Sequence, residues 1–143
     1  MNAKQLSVFI ENRQGRLGEV LEVLKKNDIN IISLSLADTT EYGLLRLIVN
    51  NPQEGRAQLS EAGFSTMLTD VLVIKIAHKA GSLQELLKVL SDNGINIEYM
   101  YGLSVEGTSA YVVLKASDPP AADKILGKAG VTTLSASDIE KLN

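Results

Sequence analysis

Two rhythms of apolar and polar residues alternate along the chain. Leu6, Val8 and Ile10 take turns with Ser7, Phe9 and Glu11, the period of two that predicts a strand with one face inward. From Leu17 the rhythm changes, and Leu17, Val20, Leu21 and Leu24 fall at i, i+3, i+4 and i+7, a single stripe on an amphipathic helix. Lys25 and Lys26 suit its last turn, where the helix dipole is negative. Asn27 with Asp28 reads as a left-handed stop, and Asn93-Gly94 as a stronger one later in the chain. Residues 29–37 are rich in β-formers and predict a second strand, Asp38-Thr39-Thr40-Glu41 a turn, and residues 42–49 a third strand hairpinned to the second. Asn51-Pro52 opens a weaker helix whose apolar residues are Ala57, Leu59 and Ala62, and Gly63 closes it. A short fourth strand is expected at residues 64–68.

The whole order then recurs. Of the seventeen residues from Gly15 to Ile31, ten are identical in the stretch from Gly81 to Ile97, 66 positions on, too many for chance. With one extra residue in the second hairpin, Pro52, Leu59, Ala62 and Gly63 correspond to Pro119, Leu126, Ala129 and Gly130 at an offset of 67. The chain therefore reads as two modules, residues 1–69 and 70–143, each βαββαβ. Its fold class is α+β, two tandem ferredoxin-like modules, each an antiparallel four-stranded sheet with both helices on one face. Thr69-Asp70 leaves almost no linker, which predicts tightly coupled modules. Core-facing positions are Leu6, Val8, Ile10, Leu45 and Leu47, then Leu72, Ile74, Ile76, Val112 and Leu114. Their alternates include Phe9, Leu44, Ile48, Val71, Val73, Tyr111 and Val113, so the sheet face away from the helices is apolar as well. Sheet-to-sheet packing, within the chain or in a homodimer, is the expected cover.

Composition narrows the function classes. Hydrophobic residues make up 45% of the chain against 22% charged, enough for a core in each half and against disorder. The net charge of −3 offers no basic footprint, leaving nucleic acid and anionic membranes without support as partners. Without Cys there is no disulfide or thiolate chemistry, and one His builds no His-rich metal site. No apolar run approaches the roughly 20 residues that span a bilayer, and the N-terminus lacks a signal-peptide core. A soluble cytoplasmic protein without a cofactor is the expectation.

Candidate chemistry gathers at the repeated turns. The first N–H groups of a helix lack internal partners and carry the positive end of its dipole, so they suit a carboxylate. Gly15 lets a ligand approach the backbone closely, and an amide such as Asn12 or Asn30 offers donors and an acceptor to an amino acid's two charged ends. Such turns also occur simply as turns, and Asn beside them often caps its own backbone. Residue chemistry alone leaves both readings open.

The Glu11-Asn-Arg-Gln-Gly-Arg-Leu17 turn and the later Ile29-Asn-Ile31, with their second copies, resemble ACT domains, amino-acid-sensing modules of metabolic enzymes. The likeness covers essentially the whole chain as a tandem pair, and is nearest to the serine-sensing tail of phosphoglycerate dehydrogenase and the small regulatory subunit of acetolactate synthase. It implies a free L-amino acid clasped between two modules. That role would fall to Asn12, Gly15, Arg16 and Leu17 with Asn30 and Ile31, and in the second half to His78, Gly81, Ser82 and Leu83 with Asn96 and Ile97. The chain departs from the family where a Pro commonly precedes the turn glycine: Gln14 and Ala80 stand there. His78 also replaces the usual acidic or amide residue.

Other readings have less behind them. Gly15-x-x-Gly18 falls short of a dinucleotide fingerprint, and no Walker A sequence is present. Arg13 and Asn30 are the residue types of an acylphosphatase site, but the flanking loop pattern is missing. The resemblance thus implies a non-catalytic regulator with a metabolic enzyme as partner, and the alternative is a structural assembly module, or a regulatory subunit without a ligand of its own. Ser82-x-x-Glu85 matches a capping box where the first copy has Arg16, so the two sites are expected to be unequal, with the first binding more tightly.

Overall fold

The computed structural model describes residues 3–11, 13–38 and 41–141. It divides into two compact units, Lys4–Thr69 and Asp70–Ile139, Ala3 belonging with the second and Glu140 with the first. The first contains β1 (Ala3–Glu11), α1 (Arg16–Lys26), β2 (Ile31–Asp38), β3 (Tyr42–Val49), α2 (Pro52–Glu61) and the start of β4 (Ser65–Ala77). The second holds the rest of β4, then α3 (Ser82–Asp92), β5 (Ile97–Glu106), β6 (Ser109–Ala116), α4 (Pro119–Lys128), β7 (Thr132–Thr133) and α5 (Ala136–Glu140). Strand order is β2-β3-β1-β4 in the first sheet and β5-β6-β4-β7 in the second. Both are the tandem ferredoxin-like plan.

Register follows the apolar alternation. Leu6 pairs with Leu47 and Val8 with Leu45, and in the second sheet Leu72 pairs with Leu114 and Ile74 with Val112. These side chains meet Val20 and Leu24 of α1 and Leu59 of α2, or Leu86, Leu90 and Leu126 of α3 and α4, so the two helices of a unit share one sheet face. Each Leu buried there contributes on the order of 1.5–3 kcal/mol. Ile76 and Val112 are only half-buried. Of the alternate positions, Ile48, Val71, Val73 and Val113 are buried in the single chain, whereas Phe9 stays 45% exposed.

Four local expectations are corrected. The strands expected to break at Thr69-Asp70 are one 13-residue strand, β4, because no Gly, Pro or Asn interrupts residues 65–77. The strand closing the second half shrinks to the two residues of β7, and α5 follows it. In α2 the packing residues are Gly55 and Leu59, while Ala57 and Ala62 are exposed. A Cβ at Gly55 would lie 3.0 Å from Leu6 Cδ2, so glycine lets this helix sit close on β1. At the end of α1 it is Asp28, not Asn27, that turns left-handed (φ 56°). Asn27 instead donates from Nδ2 to the Val23 carbonyl at 2.8 Å, as Asn93 does to Val89 at 2.7 Å.

Candidate functional site

Helices α1 and α3 start alike. Gly15 (φ 90°, ψ −16°) and Gly81 (φ 88°, ψ −16°) are their N-caps, in a conformation that excludes most side-chain-bearing residues. Ser82 N–H donates to the Lys79 carbonyl at 3.3 Å, and Glu85 N–H to the Gly81 carbonyl at 3.0 Å, with the same pattern at Arg16 and Glu19. Between them, the N–H groups of Leu17 and Gly18, and of Leu83 and Gln84, have no partner among the described residues. Each helix thus offers adjacent donors at its positive end that no described residue engages. Asn12 lies outside the described residues.

The capping box expected at Ser82 does not form. Gly81 already holds the cap position, so Ser82 is the first helical residue, and no side chain caps α3. The Arg16 charge is not free either. Its guanidinium bonds to Glu19 and lies 4.3 Å from the centre of the Phe64 ring, while Nε is buried without a hydrogen-bond partner among the described residues. Both premises of the expected inequality between sites therefore fail.

Asn30 and Asn96 sit at the other end of each unit. Asn30 N–H donates to Asn50 Oδ1 at 3.0 Å and its carbonyl accepts from Asn50 N–H at 3.1 Å. Asn96 repeats the clamp with Ser117, at 3.1 Å to the hydroxyl and 2.8 Å from the amide. Both Asn residues are exposed, and their side-chain amides have no partner among the described residues. Asn50 and Ser117 were missed from sequence, although both are polar residues standing just after matching strands at the offset of 67.

A single unit does not bring the predicted residues together. Gly15, Arg16 and Leu17 open α1, whereas Asn30 and Ile31 follow its end, and eleven helical residues separate them by about 16 Å. The same holds for Gly81, Ser82 and Leu83 against Asn96 and Ile97 across α3. Arg13 and Asn30 are parted likewise, and Arg13 is paired with Glu11 at 2.9 Å, so one unit builds no acylphosphatase-type pair. Asn30 and Ile31 line a cavity of about 520 Å³ together with Lys25, Asp28 and Asn50. His78 and Leu83 line an apolar one of about 450 Å³ with Leu103 and Val105, and Ser82 another of about 360 Å³. Among the described residues no group of three or more His, Asp or Glu is placed to hold a metal ion, and no helix is long and apolar enough to cross a membrane.

This repeated pair of helix starts on ferredoxin-like sheets defines a class. The family described as an ACT domain pair matches residues 1–142, and the chain belongs to it. Among solved structures it is similar to protein BT0572 from Bacteroides thetaiotaomicron, at 40% identity and a TM-score of 0.94 over 99% of this chain and 97% of that one. The regulatory subunit of aspartate kinase from Thermus thermophilus is 18% identical, with a TM-score of 0.64 over 90% of this chain and 93% of that one. Its counterpart from Thermus flavus is 16% identical, with a TM-score of 0.61 over 91% and 94%. These two likenesses show the shared fold. No curated protein matches the chain.

Proposed function

We propose that this protein is a non-catalytic amino-acid sensor of two modules, residues 1–69 and 70–143, that binds a free L-amino acid between modules and passes its ligand state to a metabolic enzyme. The observation that carries the reading is the duplicated pair of half-sites. Each module has helix N–H groups beside a left-handed glycine and, about 16 Å away, an Asn whose backbone is clamped, and neither these N–H groups nor the Asn amide has a partner among the described residues. One half-site suits a carboxylate and the other an ammonium and carboxylate together, so two modules complete what neither holds alone. Asn12, Gly15, Arg16 and Leu17, with His78, Gly81, Ser82 and Leu83, form the helix-start half-sites, and Asn30, Ile31, Asn96 and Ile97 form the others. The aspartate kinase regulatory subunits among the similar folds make regulation of an enzyme the matching role. Ligand seated between modules shifts only an equilibrium whose states it binds unequally, so module orientation or oligomeric state is the output. A homodimer fits this output, because Leu34 and Leu36 on the edge strand β2 are each 47% exposed. The same exposure also favours the alternative, an assembly module without a ligand.

Isothermal titration against the twenty L-amino acids decides between them. One of them should bind, Asn30→Ala and Asn96→Ala should each remove part of the stoichiometry, and the double variant should lose the interface sites. Silence from all twenty at millimolar concentration hands the case to assembly.

A further inference from the structure

The two repeats differ in the groove between the start of the first helix and the turn that follows the second. In the first unit Arg16 fills it, with its guanidinium over Phe64 and bonded to Glu19. The second unit has Ser82 for Arg16, Val131 for Phe64 and Glu85 for Glu19. Its groove is a cavity of about 360 Å³ lined by Lys75, Lys79, Ser82, Glu85, Leu86 and Val131, among others, within the range of about 300–1,000 Å³ typical of small-molecule sites. Lys79 stands where the first unit has Arg13, but Arg13's partner Glu11 is replaced by Ala77. Among the described residues Lys75, Lys79 and Glu85 have no ion-pair partner. One copy thus carries its own cationic occupant, and the other keeps the carboxylate and the space.

We propose that this cavity of the second unit is a separate binding site for a small zwitterion, an aliphatic α-amino acid. Glu85 takes the ammonium, as Glu19 takes the guanidinium of Arg16. Lys79 and Lys75 take the carboxylate, and Leu86 and Val131 receive the side chain. Two lysines beside one carboxylate disfavour a ligand with a second positive charge and favour one whose charges balance. The site lies inside one unit, and Ser82 is the one lining residue it shares with the residues assigned above to the sites between modules.

The test is methyl NMR and calorimetry on the full chain with L-alanine, L-valine, L-leucine and L-isoleucine. At least one should shift the Val131 and Val89 methyl signals. Isopentylamine and 4-methylpentanoate, each lacking one charge, should bind at least tenfold more weakly than L-leucine. Val131→Phe, which imports the first unit's residue, should abolish the shift at Val89, and Glu85→Gln at an exposed position should weaken binding at least tenfold. If Val131→Phe fails to fold, Glu85→Gln alone decides. The double variant Asn30→Ala/Asn96→Ala should keep this binding. Loss of all binding in that double variant, no methyl shift with any of the four at 10 mM (roughly the weakest affinity of interest), or affinity unchanged by Glu85→Gln would overturn the site. Binding that survives the Asn pair in full but vanishes with Glu85→Gln would uphold this site and reject the one between modules.

Discussion

Gly15→Ala, at the N-cap of α1, and Gly18→Ala, in its first turn, place the same methyl group three residues apart and should move stability in opposite directions. Neither added Cβ meets anything within 4 Å, so packing cancels and the backbone decides. Gly15 has φ 90°, where an L-residue costs about 1–2 kcal/mol. Restricting the unfolded chain returns roughly 0.4–1 kcal/mol, leaving a net loss of about 1 kcal/mol. Gly18 lies inside the helix without a positive φ, and alanine there should gain about 0.5 kcal/mol from propensity, less than mid-helix because the first turn is only partly formed. The separation is about 1.5 kcal/mol. With m near 1.5 kcal/mol/M, urea midpoints followed by circular dichroism should differ by ~1 M. Gly81→Ala should reproduce the Gly15 loss, since its φ is 88° and its surroundings are equally open. A neutral or stabilising Gly15→Ala would show that the turn relaxes out of the left-handed region, and the account of the helix starts would fall with it.

Three further outcomes follow from the packing. Leu59 is fully buried and is, with Gly55, all that α2 buries, so Leu59→Ala should cost about 2–5 kcal/mol in the same urea assay. Arg16→Ala should cost about 0.5–1 kcal/mol through lost stacking on Phe64, and Arg16→Lys should not recover it, because an ammonium lacks the planar face; thermal melts in low and high salt will separate this from the exposed contact to Glu19. Asn93→Ala should lower stability by about 0.5–1.5 kcal/mol by freeing the Val89 carbonyl, and an effect confined to Asn27→Ala would mean that the two helix ends are not equivalent.

Much of this protein is legible one residue after another. Alternation at Leu6–Val8–Ile10 and the helical stripe at Leu17–Leu24 name the elements and the buried face, because burial imposes the same period on sequence and structure. The duplication names the modules and, through the ACT resemblance, the class. Even the unforeseen α5 was written locally, for Ser135 and Asp138 exchange hydrogen bonds of 2.9 and 3.2 Å in a reciprocal cap. Other features needed the third dimension. Ser82-x-x-Glu85 has the letters of a capping box, but the backbone of Gly81 takes the cap position and moves Ser82 one place into the helix. Arg16 reads as a free charge until Phe64, 48 residues later in the chain, is seen beneath it. That same long-range pairing decides that one groove is filled and its twin is open. Such outcomes depend on which side chains the sheet and helices bring together, and neighbours in space are not neighbours in the chain.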